Sequence, residues 1–322
     1  MNPNPSSLSH EQIQHGLFAR SRGLLSEQIG QKRVLIAGVG SVGSFLAEQL
    51  VRSGVGALTL IDPDTVELPN LSRTTYTLAD LGKPKVMALV DRLHSINPGL
   101  AVTAEPCSLF DYEPEALDAL VQAADLIVGT TDDMRAQRSL NRFAYGRGKP
   151  ALFIGLYPGA QGGEVILTVP EQTACYLCAA GTRRQFEDDL GQVSGEVDYG
   201  TGRLAGEVAI AADIQHVTTT AIKMALSLLL PEDADVKLKD FLQPVLATGQ
   251  TFFTFSTVPN YWFYPHVFGD APGQFAYQSV CLTPERQETC PVCGASEHRV
   301  QPLAVPLKAP ALADLRSHLT AS

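Results

Sequence analysis

No run in this sequence of 322 residues is apolar for long enough to cross a bilayer. Ala225 to Leu230 is apolar but far shorter than the roughly 20 residues that a spanning helix needs. A cleavable targeting leader is not recognisable either, so the cytoplasm is the expected compartment. Positive charge is scarce: 24 lysines and arginines against 34 acidic residues leave a net charge of −10. That balance argues against nucleic acid or an anionic membrane as the main partner. Cysteine is scarce as well, with six in all. In a chain without a secretory leader they are expected to stay reduced, which removes a disulfide framework as the organising device. No internal repeat is visible.

What the sequence does contain is concentrated between Val34 and Arg73. An apolar strand, Val34-Leu35-Ile36-Ala37, runs into Gly38-Val39-Gly40-Ser41-Val42-Gly43 and then a helix. In that pattern Gly38 permits a tight turn, Gly40 lets backbone amides approach a phosphate, and Gly43 lets the helix pack close to the strand. The helix N-terminus then faces an anion. A second strand, Ala57 to Ile61, ends in Asp62-Pro63-Asp64, which puts Asp62 where an acidic side chain can hold a ribose hydroxyl. These residues point to an adenine nucleotide. The cations that follow, Arg73 and then Lys83 and Lys85 at the next helix start, suit a triphosphate better than a nicotinamide or flavin. Asp132 and Asp133 come after the apolar strand Leu126 to Val128, at the carboxyl edge of the sheet. A carboxylate there can hold magnesium together with phosphate oxygens.

In combination these markers resemble the ThiF/MoeB/HesA family, which activates ubiquitin-like proteins and sulfur carriers. The resemblance rests on the glycine turn, Asp62-Pro63-Asp64-Thr65-Val66, Asn70-Leu71-Ser72-Arg73, Lys83-Pro84-Lys85-Val86 and Thr130-Thr131-Asp132-Asp133, and it covers most of residues 15 to 230. It implies an enzyme that binds ATP and magnesium and adenylates the C-terminal glycine carboxylate of a small ubiquitin-fold protein, releasing pyrophosphate. It implies Asp62 as the ribose ligand, Asn70, Arg73 and Lys85 as polyphosphate binders, and Asp132 as the magnesium-linked acid. Asp64 is grouped with these nucleotide-binding residues. Upstream, Leu17-Phe18-Ala19-Arg20-Ser21-Arg22 is similar to a segment that crosses to the partner's site in family homodimers, with Arg20 the best match and Arg22 the reserve.

Four of the six cysteines form two C-x-x-C knuckles, Cys175-Tyr176-Leu177-Cys178 and Cys290-Pro291-Val292-Cys293. Four thiolates suit a closed tetrahedral structural zinc site that staples distant segments. Compared with family members, the knuckles lie farther apart here. The crossover stretch Gly181 to Gly206, where relatives that form a thioester carry their cysteine, has none, and offers only Thr182, Ser194, Tyr199 and Thr201. Cys281 is the candidate if a thioester forms nonetheless. Cys107 is expected to be a small buried residue.

Apolar strand patterns alternate with helical ones: strands at Val34–Ala37, Leu58–Ile61, Leu100–Ala104, Leu126–Gly129 and Ala151–Ile154, helices at Val42–Arg52, Lys85–Ile96, Pro114–Ala123 and Met134–Arg147. This predicts an α/β fold, a Rossmann-like doubly wound, mostly parallel sheet with a C-terminal antiparallel, zinc-stapled portion. The expected organisation is a disordered leader at 1–15, a nucleotide-binding half at 16–157, a crossover, helix and antiparallel region at 158–300, and a tail at 301–322 that is a candidate docking segment. Gly162 to Val169 reads as an antiparallel strand and Arg203 to Leu230 as a long buried helix with a break near Asp213. The aromatic segment Phe241 to Leu282 reads as a small sheet whose aromatics are mostly core, a few of them available to a partner protein.

Blander roles stand beside several of these. Asn70 can cap a turn, Asp133 reads as a helix N-cap, Lys83 as a solvated lysine, and Arg20 and Arg22 as charges on a leader helix. Two other functions also remain open, adenylation of a small peptide or other carboxylate and a non-catalytic scaffold. Retention of Arg73, Lys85 and Asp132 disfavours the scaffold.

Overall fold

The computed structural model of the chain describes residues 8–189, 209–259, 264, 267 and 276–308. Aliphatic runs with no polar alternation form the middle of one eight-stranded sheet: β1 (Arg33–Ala37), β2 (Ala57–Ile61), β4 (Leu126–Gly129) and β5 (Ala151–Leu156) are nearly all buried. Strands buried on both faces need apolar side chains at every position, which is why the two-residue alternation is missing. β3 (Ala101–Glu105) is the parallel edge strand, and its pattern is correspondingly more exposed.

The strand order is β3-β2-β1-β4-β5-β6-β7-β8. The first five run parallel, and β6 (Gly162–Thr168), β7 (Phe252–Ser256) and β8 (Ser279–Leu282) continue the same sheet antiparallel. The antiparallel part is thus an extension of the sheet. Helices cover both faces. α2 (Ser41–Arg52), α3 (Lys85–Ile96) and α7 (Ala211–Leu229) enclose one core with Leu46, Leu50, Leu89 and Val217. α4 (Pro114–Ala123), α5 (Met134–Gly146) and α6 (Tyr176–Asp189) enclose the other with Leu117, Leu140, Phe143 and Phe153. α1 (His10–Phe18) starts with a Ser9–Gln12 capping box and buries Phe18, and α8 (Gln243–Thr248) is a short connector ending at left-handed Gly249.

Several local expectations hold. Pro114 opens α4, and Asp133 caps α5 through a hydrogen bond that its carboxylate accepts from the Arg135 N–H at 2.8 Å. Others change. α7 starts at Ala211 because Ile210 is extended, and Asp213 lies in its first turn, where an acid favours the helix dipole and causes no break. Arg203 to Val208, and Ser194, Tyr199 and Thr201 of the crossover stretch, lie outside the described residues. Of the aromatics, Phe252, Phe253, Phe255 and Tyr264 are buried and Tyr277 is exposed, while Tyr261, Trp262, Phe263, Phe268 and Phe275 lie outside the described residues. At the start of the expected tail, Pro302 and Leu307 are buried on this chain's own helices, and the Arg142 guanidinium donates to the Val305 carbonyl at 3.1 Å. No described helix is long and apolar enough to cross a membrane.

The tightest point of the fold is the turn between β1 and α2. Gly38 has φ +91°, a left-handed conformation, and a methyl group on Gly43 would lie 1.9 Å from the Gly38 carbonyl oxygen. Gly43→Ala therefore forces the backbone apart. The expected result is a loss of about 1–3 kcal/mol of unfolding free energy in a denaturant titration.

Candidate active site

The parallel order reverses between β1 and β4, and ligands of such sheets bind beyond the strand tips at that point. A cleft of about 1080 Å³, counting its open mouth, lies there. Its walls are the tips of β1, β2, β4 and β5: Gly38, Gly40 and Ser41 from the first turn, Asp62 and Asp64 from the second, Thr130 to Asp133 from the third, and Ile154 and Leu156 from the last. Gly40 is the N-cap of α2 and faces open space, so the first amides of the helix look into the cleft.

Asp62 is buried, and its carboxylate accepts from the Val39 N–H at 2.7 Å and the Asp64 N–H at 2.9 Å. Burial pushes its pKa up; the Lys85 charge and these two N–H donors pull it back. The Lys85 ammonium, itself mostly buried, donates to the Asp64 carboxylate at 2.7 Å. Asp132 is reached by solvent through the cleft mouth, yet protein crowds it closely enough that desolvation raises its pKa, with Arg73 and Lys85 opposing and Asp64 adding to the rise. Asp62, Asp64, Lys85 and Asp132 are thus brought into one cleft, with the Arg73 charge felt at Asp132. A hard divalent cation would find oxygen donors at Asp132 and Asp64 beside the phosphates of a nucleotide.

The remaining candidates are placed differently. Asn70 does not line the cleft; its side-chain oxygen accepts from the Glu67 N–H at 2.9 Å, which is the turn-capping role. Lys83 forms half-exposed ion pairs with Asp80 and Asp91. Arg20 is exposed on the turn after α1, and Arg22 is hydrogen-bonded to His15. Cys281 sits on β8 opposite Phe253, away from the cleft lining, and partial desolvation raises its thiol pKa. Cys107 is a correction: it is only half-buried, and with Ser108, Leu109 and Phe110 it forms a wall of the cleft. Sequence reasoning missed that wall. The signal was available, since β3 ends beside β2 and its tip therefore faces the same crevice. Glu164 was missed too, although it is the lone acid in the otherwise apolar run of β6.

Cys175, Cys178, Cys290 and Cys293 come together, all four sulfurs within 4.8 Å of one another and all buried. The Cys175–Cys290 and Cys178–Cys293 separations are 3.7 and 3.5 Å, and a tetrahedral zinc with bonds of about 2.3 Å spaces its sulfurs by about 3.8 Å. The donor set therefore fits a thiolate-bound ion. Around the knuckles, Arg286 donates to the Cys293 carbonyl and Arg299 to the Gly294 carbonyl, and both reach Glu171.

Two outcomes are expected. Elemental analysis of the purified protein finds one tightly held divalent ion per chain, and the double substitution Cys178→Ser, Cys293→Ser removes it. Asp132, whose folded pKa is raised, holds its proton more tightly folded than unfolded, so its contribution to stability falls as pH rises through that window. Asp132→Asn is accordingly more stable than the parent near pH 7, and the advantage shrinks on acidification towards about pH 4. Chemical denaturation at both pH values checks this.

Comparison with known proteins agrees with this geometry. Over 153 residues the chain is 37% identical to the molybdopterin-synthase adenylyltransferase of Escherichia coli, covering 47% of this chain and 60% of that one. Over 161 residues it is 32% identical to ubiquitin-like modifier-activating enzyme 5 of Dictyostelium discoideum, covering 47% of this chain and 42% of that one. The chain thus spans about half the length of these curated relatives. In fold it is similar to E. coli MccB solved with ATP, at a TM-score of 0.57 and 17% identity, over 83% of this chain and 68% of that one. The ThiF family model matches residues 11–252, and the chain belongs to the ThiF family.

Proposed function

We propose that this protein uses ATP to adenylate the C-terminal glycine carboxylate of a ubiquitin-like or sulfur-carrier protein. The observation that carries this reading is the convergence of the α2 N-terminus, Asp62, Lys85 and Asp132 on one cleft, with Arg73 acting on Asp132. Cations beside the phosphates suit a triphosphate and the pyrophosphate that leaves it. The names of the relatives, a molybdopterin-synthase adenylyltransferase and a ubiquitin-like modifier-activating enzyme, support the same reaction.

In this mechanism a carboxylate oxygen of the substrate attacks the α-phosphorus of ATP. The bond from that phosphorus to the oxygen bridging to the β-phosphorus breaks, its electron pair leaves with pyrophosphate, and an acyl-adenylate remains. Asp62 holds the ribose, and the α2 amides face the phosphates. Lys85 and Arg73 stabilise charge on the α-phosphate and on the departing pyrophosphate, so the work is positioning and electrostatics. Asp132 and Asp64 would hold magnesium, which neutralises phosphate charge when bound. The proposed role of the four cysteines is a structural zinc site. Adenylation itself requires no cysteine of this chain; Cys281 lies off the cleft and Cys107 borders it. Arg20 serves the partner's site in a homodimer, which suits an exposed arginine outside its own cleft.

The test is ATP–pyrophosphate exchange with magnesium and a ubiquitin-fold protein ending in glycine, against the same protein lacking that glycine. Exchange that depends on the glycine is expected. Lys85→Ala and Arg73→Ala each lower it about 10²- to 10³-fold. Asp132→Ala abolishes it while the cysteine-bound metal stays; retained exchange would show that this cleft is misassigned.

A further inference from the structure

After the second cysteine pair the chain returns to the nucleotide cleft from behind. The Val300 N–H donates to the Pro291 carbonyl at 2.9 Å, and one short turn follows at Pro302–Ala304. Pro302 is buried against the last residue of α5, so closely that a methyl group on Gly146 would lie 2.4 Å from its Cγ. Further on, the Val305 carbonyl accepts from the Arg142 guanidinium at 3.1 Å. Leu307 is buried in the same apolar cluster as Leu109, Leu117 and Leu140, and the Lys308 ammonium lies 3.8 Å from the Asp111 carboxylate. Gly146, Arg142 and Asp111 thus mark a path from the far end of α5 back towards the cleft.

That path ends behind one wall of the cleft. Asp111 closes the turn Leu109–Asp111, and Cys107, Ser108, Leu109 and Phe110 line the cleft. Local bonds shape the turn: the Ser108 N–H donates to the Asp111 carboxylate at 3.0 Å and the Phe110 N–H to the Ser108 hydroxyl at 3.3 Å. Where the turn stands depends on packing. Leu109 belongs both to the cleft lining and to the cluster that holds Leu307, with Phe110 packed against that cluster, so what fills the space behind the wall sets its position. At the rim Arg135, paired with Asp133 at 2.7 Å, lays its guanidinium 5.2 Å from the centre of the Phe110 ring. Strand order tells which part of a nucleotide meets this wall. With phosphates at the α2 N-terminus beyond β1 and the ribose on Asp62 at the tip of β2, the base points to the tip of β3, the next strand in the sheet.

We infer that the segment from Pro302 to Lys308 is a strap that holds the Ser108–Phe110 wall against the base of the bound nucleotide, with Leu307 as its positioning residue. This rests on the ATP reading of the cleft. Leu307 lies behind the wall, off the cleft lining, and acts through Leu109 and Phe110. The phosphate end is held by other means, through the hydrogen bonds that tie Asp62 and Thr130 to the β1–α2 turn. Loosening the strap therefore weakens the grip on the base and leaves the grip on the phosphates as it was.

The experiment is calorimetric binding of ATP and of inorganic tripolyphosphate, each with magnesium, to the full chain and to its Leu307→Ala and Arg142→Met variants. Tripolyphosphate offers the phosphates without the base. The expected result is roughly tenfold weaker ATP binding in Leu307→Ala, the order of one lost base contact, with tripolyphosphate affinity unchanged. Arg142→Met, which releases the Val305 carbonyl, shifts ATP affinity in the same direction and again spares tripolyphosphate. It leaves Leu307 in place, and it decides alone should Leu307→Ala not fold. Unchanged ATP affinity in either folded variant, or equal losses for ATP and tripolyphosphate, overturns the strap's role. Failure of the unaltered protein to bind ATP sinks the nucleotide reading of the cleft itself, and the strap's role with it.

Discussion

The carboxylate of Asp62 is the fixed point of the molecule. It takes the Val39 N–H of one strand-to-helix turn and the Asp64 N–H of another, locking the tips of β1 and β2 together from a buried position. The Tyr76 hydroxyl closes the arrangement by donating to the Val39 carbonyl at 2.6 Å. On the far side the Thr130 hydroxyl donates to the Gly38 carbonyl at 2.5 Å, which joins the tip of β4 to the same turn. Buried polar groups satisfied in this way rigidify their surroundings, because any slip leaves a donor or acceptor without a partner. The β1–α2 turn, Asp62 and the tip of β4 are therefore tied into one buried hydrogen-bonded unit.

That rigidity carries an electrostatic strain. Asp62, Asp64 and Asp132 share a cleft with Lys85 and the nearby Arg73, and both Asp62 and Asp132 are pushed towards protonation by their surroundings. Lys85 and Arg73 offset part of that cost. Burial disfavours the ionised form of both acids. Lys85 is paired with Asp64 at 2.7 Å at the edge of this cluster.

Much of this was legible in the sequence, and the boundary of what was legible has physical causes. The βα turns, Asp62, Lys85, Asp132 and the two cysteine knuckles were readable because each depends on a short local pattern whose chemistry fixes its spacing. Asn70 sits inside a family-like motif, yet locally it satisfies the Glu67 amide, and pattern alone cannot separate capping from ligation. Cys107 was expected to be buried on residue-type statistics, but the tip of β3 borders the cleft by topology, a property of the sheet as a whole. The start of α7 was blurred for another reason: an apolar run does not reveal where its backbone turns from extended to helical. Glu164 needed tertiary knowledge, since only the assembled sheet sets it over Gly155 and beside Tyr157.

The cysteine knuckles also constrain the order in which the chain matures. Each close sulfur pair joins residues 115 apart, so the cluster cannot close until Cys293 has left the ribosome, long after β1 to β6 have been made. Closing a loop of about that length costs roughly 4–5 kcal/mol of chain entropy, a cost that an ion bound there would help to offset. Glu171, in a left-handed conformation at φ +63°, holds the two arginines that grip the second knuckle. An ion bound there would join the start of α6 to the chain that follows β8, two segments made far apart in time.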